Sequence, residues 1–154
     1  MSTVTNNKVK TPFSTADRNQ FMAWSKLAKD RGLLDGFQRK VLYEGGQYNY
    51  IFISRLHRLV STLDSLSEHL EDDQREKAKE LNNTGYRCYL EAESKAGNAE
   101  TQYMYADALY HGLFGFQEDE ELASEWLSKS ADQGNLEAMH RLHYWYYMGF
   151  CGKW

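Results

Sequence analysis

The tetrapeptide Gly97-Asn98-Ala99-Glu100 returns 37 residues later as Gly134-Asn135-Leu136-Glu137, and Tyr110 and Gly112 return at the same offset as Tyr147 and Gly149. Self-similarity at such a period belongs to helical hairpins that stack into solenoids, because one hairpin alone cannot bury its apolar face. The unit is readable residue by residue. Gly97 takes the left-handed conformation that ends a helix. Asn98 then caps the next helix, with Glu100 in its first turn. Thr101, Tyr105, Ala106 and Leu109 share one face of that helix, and Gly112 and Gly115 make the turn after it. Asp119 caps a second helix, which Leu122, Ala123, Trp126, Leu127, Ser130 and Ala131 pack back onto the first before Gly134 restarts the cycle.

The run Asp119-x-x-x-Ala123-x-x-Trp126-x-x-Lys129-Ser130-Ala131-x-x-Gly134-Asn135-x-Glu137-Ala138 resembles the signature of Sel-one-like repeats, relatives of tetratricopeptide repeats. The resemblance covers a full repeat at 97–133 and a half repeat at 134–149. Residues 73–96 resemble the closing helix of an earlier, degenerate repeat, with Tyr89 at the place of Trp126 and with Glu93 and Ser94 where two small residues are expected. Within the full repeat, Thr101 stands for the usual alanine, Ala106 for the usual glycine, and the turn is one residue longer. His143 falls at the glycine-equivalent position of the half repeat. The resemblance implies an α-solenoid that works by binding, as a scaffold, adaptor or inhibitor without catalysis. By position it implies a concave partner-binding surface of Tyr103, Met104, Asp107 and His111 from one helix, and His140, Arg141, Tyr144 and Met148 from the other. Aromatic, methionine and arginine side chains are the usual anchors of such surfaces. The plainer alternative is that several of them are ordinary exposed helix residues.

Upstream, no repeat is discernible. Residues 1–12 read as a flexible polar tail and 13–72 as N-terminal helices, ahead of a repeat region at 73–154. Ser14 and Asp17 form a capping box, and Phe21, Trp24, Leu27 and Ala28 follow at helical spacing up to Gly32. Leu33, Leu34, Phe37, Val41 and Leu42 make a second, short apolar pattern before Gly45-Gly46 breaks the chain. Phe52, Leu56, Leu59, Leu63, Leu66 and Leu70 then recur at steps of four and three, nearly three heptads. Such a seam suits either a homodimer or a helix packed on its own domain, and neighbouring apolar helices favour the second. Glu71-Asp72-Asp73 sits where a helix over 73–96 would start, which suits the positive end of its dipole. Ala78, Leu81, Tyr86, Tyr89 and Leu90 are its candidates for burial, and Gly85 weakens it. No strand is convincing. Val4, Val9 and the run 48–53 are the rivals, and the heptad absorbs the last. The expectation is an all-α chain, its N-terminal helical segment packed on a short α-hairpin array.

Composition narrows the function. With 154 residues, 42% apolar and 14% aromatic, the chain can hold a core, and its sole proline, Pro12, leaves every later helix uninterrupted. Residues 1–45 carry a net charge of +4 and the remainder −8, so the acidic two-thirds would repel a phosphate backbone and nucleic acid is not the expected partner. No apolar run reaches a membrane-spanning length. Two cysteines, Cys88 and Cys151, make neither a disulfide framework nor a zinc pattern, and the polar start lacks a secretory signal, so a cytoplasmic location is expected. No nucleophile elbow, phosphate loop or paired-cysteine motif is present, and no cofactor is expected. The leading reading is a non-enzymatic module for one cognate protein, a toxin or effector, as a bacterial inhibitor or immunity protein would be. The alternatives are a metal-dependent enzyme using His111, His140 and His143, since His140 and His143 share a helix face, and a structural homodimer through the 52–70 seam.

Overall fold

The computed structural model describes residues 8–32 and 50–148. The apolar pattern at 33–42, Gly45-Gly46, Gly149 and Cys151 lie outside them. The described residues are mostly helical: β1 (Lys8–Lys10), α1 (Thr15–Asp30), β2 (Tyr50–Phe52), α2 (Ile53–Ser67), α3 (Asp72–Lys95), α4 (Ala99–His111), a 3₁₀ turn (Leu113–Gly115), α5 (Glu120–Asp132) and α6 (Leu136–Met148). The chain divides into two compact units, 1–89 and 90–154, so the division falls inside α3 rather than at residue 72. The first turns of α3 bury Ala78 and Leu81 in the core of the first unit. Its last turns belong with α4.

In the first unit, Ser14 accepts the Asp17 N–H at 3.2 Å while the Asp17 carboxylate accepts the Ser14 N–H at 2.9 Å. The capping box is therefore complete, and it starts α1 in the register that buries Phe21, Trp24 and Ala28. Gly32, at φ +68°, ends that run. Leu56, Leu59, Leu63, Leu66 and Leu70 are all buried in one cluster with Phe13, Phe21, Trp24, Ala28, Ala78 and Leu81. The chain thus covers Leu56 to Leu70 of the heptad row itself. Phe13 and Phe21 meet edge to face at 4.9 Å, and the Trp24 indole N–H donates to the Gln74 side-chain oxygen at 2.8 Å. Arg75 reaches back to close α2, donating to the Ser67 and Leu70 carbonyls at 3.1 and 3.0 Å. The Ser67 carbonyl is one that the end of α2 leaves without an intrahelical partner, and Leu70 lies in the turn that follows.

Gly85 is not a weak point. A Cβ there would lie 2.5 Å from Val60 Cγ1, so the glycine is what lets α3 cross α2. The expectation of no strand fails. β1 and β2 pair antiparallel, with Val9 opposite Ile51. Phe52 is consequently a strand residue at the start of α2, exposed rather than part of the buried seam. Val9 in β1 and the Tyr-Ile-Phe run of β2 are residue types that favour the pairing.

In the second unit, the 37-residue offset holds at the level of single hydrogen bonds. The Gly97 N–H donates to Ser94 O at 3.1 Å and the Asn98 N–H to Glu93 O at 3.2 Å. The Gly134 N–H donates to Ala131 O at 2.9 Å and the Asn135 N–H to Ser130 O at 3.2 Å. Both are the paired bonds of a helix ended by a left-handed glycine, with φ +106° at Gly97 and +95° at Gly134. Asn98 then accepts from the Thr101 N–H, and Asn135 from the Ala138 N–H, each at 2.8 Å. α5 returns antiparallel along α4: the Asp119 N–H meets Leu109 O at 2.9 Å, and at the other end Ser130 Oγ donates to Ala99 O at 2.6 Å. Between these ends Tyr105 is buried, its ring 5.2 Å from Trp126 and 5.4 Å from Phe116.

Candidate functional site

Asp107 and Tyr103 occupy one face of α4, a helical turn apart, and Arg141 comes from α6. The Arg141 guanidinium donates to Asp107 Oδ1 at 3.2 Å and to the Tyr103 hydroxyl at 2.9 Å, and it lies 5.5 Å from the centre of the Tyr103 ring. His111 Nε2 stands 3.5 Å from the same Asp107 oxygen. A second stack, Tyr110 on Trp145 at 4.9 Å, holds the two helices together from the side. Trp145 is buried, so this contact fixes which face of α6 turns towards α4.

Beside this cluster lies a surface cavity of about 290 Å³ lined by Tyr103, Glu137, His140, Arg141 and Tyr144. Six of the eight residues assigned to a partner-binding surface are therefore brought together: Tyr103, Asp107 and His111 with Arg141, His140 and Tyr144. Met104 and Met148 are exposed but do not line the cavity. Sequence reasoning missed Glu137. In the sequence it stands only as the last residue of the repeated tetrapeptide and as part of the repeat signature.

The cavity wall combines the Arg141 guanidinium, already paired with Asp107, with two phenols, an imidazole and the Glu137 carboxylate. Two of the five guanidinium donors of Arg141 are engaged, and the ring under it lends cation–π attraction. Partly exposed ion pairs of this kind contribute only about 0.2–1 kcal/mol each, so the arrangement does little for stability. Its phenols, imidazole and cation–π pair suit contact with an aromatic side chain.

His143 is exposed on α6. Among the described residues no three His, Cys, Asp or Glu side chains gather as a metal ion requires, so His111, His140 and His143 do not form a centre. No helix of the described residues is long and apolar enough to cross a membrane.

The degenerate turn at the end of α3 has its own chemistry. Glu93 takes the place of Ser130 and is 1% exposed, and its Oε1 has no hydrogen-bond partner among the described residues. Burial pushes its carboxyl above the ordinary carboxylate range. Next to it, Ser94 Oγ is likewise buried without a partner, while Ser94 O accepts from Gln102 Nε2 at 3.0 Å. Gln102 in turn accepts from Gln133 Nε2 at 2.9 Å. Burial, and then the charge of Glu91, raise the Tyr105 hydroxyl, so it stays neutral.

No protein-family model, curated protein or solved structure matches this chain.

Proposed function

We propose that the chain is a non-enzymatic protein-binding module that holds one cognate protein on the face shared by α4 and α6. The observation that supports this most is the convergence of Tyr103, Asp107, His140, Arg141 and Tyr144 from two helices 37 residues apart into one cluster and cavity. These are the positions that a concave repeat surface would present. The matching helix-end and cap hydrogen bonds at Gly97-Asn98 and Gly134-Asn135 support reading 97–148 as consecutive Sel-one-like units of a short solenoid. A mass of 18.0 kDa suits one dedicated partner rather than a scaffold for many, as an inhibitor or immunity-type protein in a bacterial cytoplasm would need.

The test is affinity capture with the full chain from its native cells. One protein should be recovered in a stoichiometric amount, and Arg141→Ala or Tyr144→Asp should lose it. Capture of the same protein undiminished by both variants, or of none, would defeat the proposal.

A further inference from the structure

The two units of the chain differ in charge. Residues 1–89 hold fourteen basic and eleven acidic side chains, a formal net of +3. Residues 90–154 hold four basic and eleven acidic side chains, a formal net of −7. The second unit is therefore the one that steers a basic surface towards itself.

Contact with an aromatic side chain leaves one group of the α4–α6 cavity wall unused. Arg141 and Glu137 both line the cavity, with opposite charges. Arg141 is already answered, by Asp107 Oδ1 at 3.2 Å and by the Tyr103 hydroxyl at 2.9 Å. The Glu137 carboxylate has no hydrogen bond or ion pair among the described residues. With Asp107 set against Arg141, the wall keeps one carboxylate in excess. Beside it stand the rings of Tyr103 and Tyr144. Ring faces attract a cation, and a carboxylate accepts its hydrogen bonds. The cavity, at about 290 Å³, has room for a single long side chain.

Taking the binding face above as given, we propose that this cavity receives a basic side chain of the cognate protein, an arginine, which donates to Glu137. Arginine suits the wall better than lysine. Its planar guanidinium can lie against a phenol ring while its N–H groups meet a carboxylate two at a time. An acidic side chain would face Glu137 and would have to displace Asp107 from Arg141.

Amide NMR of the full chain, titrated with acetyl-arginine methylamide, tests this without the cognate protein. The citrulline derivative, of the same shape but uncharged, and the glutamate derivative are the controls. The arginine probe should shift the amides of 103–107 and 137–144 saturably, with a Kd on the order of a millimolar for a ligand of its size. Both controls should bind at least roughly tenfold more weakly. Glu137→Gln should weaken the arginine probe by about tenfold or more. Glu100→Gln, at the same place in the first turn of α4 but outside the cavity wall, should leave it unaltered. No saturable shift, equal binding of the citrulline probe, or equal weakening by the two glutamine variants would overturn the proposal. A protein captured by the chain without any arginine binding would defeat this chemistry and keep the binding face. Arginine binding with no protein captured would defeat the binding face and keep the preference of the cavity.

Discussion

Two helices carry heptad-spaced apolar rows, and they meet opposite fates. The row that runs along α2 from Leu56 to Leu66, with Leu70 just beyond it, is buried among Phe21, Trp24, Ala28 and Leu81 of its own unit. The row of α6, from Leu136 to Tyr146, is largely open to solvent. Spacing alone does not separate the cases. What differs is the company each helix keeps: α2 is covered by α1 and α3, whereas α6 shows its neighbours the face of Ala138 and Trp145. The residue types agree with this. Leucine alone fills the covered row, whereas the open one also holds methionine, histidine and tyrosine.

Truncation should separate the two rows most sharply. Leu63→Ala removes a fully buried side chain and should lower the unfolding free energy by about 2–5 kcal/mol in chemical denaturation. Met139→Ala, on the open row, should change it by less than about 0.5 kcal/mol at low protein concentration. A similar loss from both would erase the distinction.

The crossing of α3 over α2 gives the next largest effect. Gly85→Ala places a methyl group 2.5 Å from Val60 Cγ1. Overpacking costs about 1–3 kcal/mol, more than the ~1 kcal/mol that alanine gains in a helix, so the thermal midpoint should fall. A rise would mean that α2 and α3 lie farther apart than described.

Cap removal asks whether the two helix starts 37 residues apart are energetically as well as geometrically alike. Asn98→Ala and Asn135→Ala each delete a 2.8 Å bond to a first-turn N–H. Each should cost about 1 kcal/mol in chemical denaturation. A loss at Asn98 with none at Asn135 would show that only the first of the two starts depends on its cap.

The smallest effect concerns Glu93, which stands 37 residues before Ser130. Its folded-state carboxyl is raised, so the native protein keeps that proton to higher pH than the unfolded chain does. The contribution to stability is full below the ordinary carboxylate range and is lost as pH rises through the raised value. Glu93→Gln should therefore stabilise the protein at neutral pH, by no more than about 1 kcal/mol. That advantage should shrink on acidification. A variant less stable than the parent at pH 7 would show that the carboxylate is satisfied.

Legibility followed the reach of each signal. Local chemistry was readable: the Ser14–Asp17 box, the left-handed glycines and the asparagine caps act within a few residues, and each formed as spelled. Periodicity over α1 and α2 gave the buried faces. The β1–β2 pair was not readable, because three-residue strands about forty positions apart carry no period of their own. The role of Gly85 depends on Val60, which belongs to another helix. Glu93 was recognised as out of place, but its burial without a partner at Oε1 is a matter of tertiary packing. The candidate site was legible in its residue types and in the two helices that supply them. The ion pair of Arg141 with Asp107, and the place of Glu137 in the cavity wall, required coordinates.

The most direct test of the proposed binding face is amide hydrogen exchange, read peptide by peptide with and without the captured protein. Added protection confined to 99–111 and 136–148 is the predicted result. Protection over 53–67 or 72–89, with α4 and α6 unchanged, would contradict it.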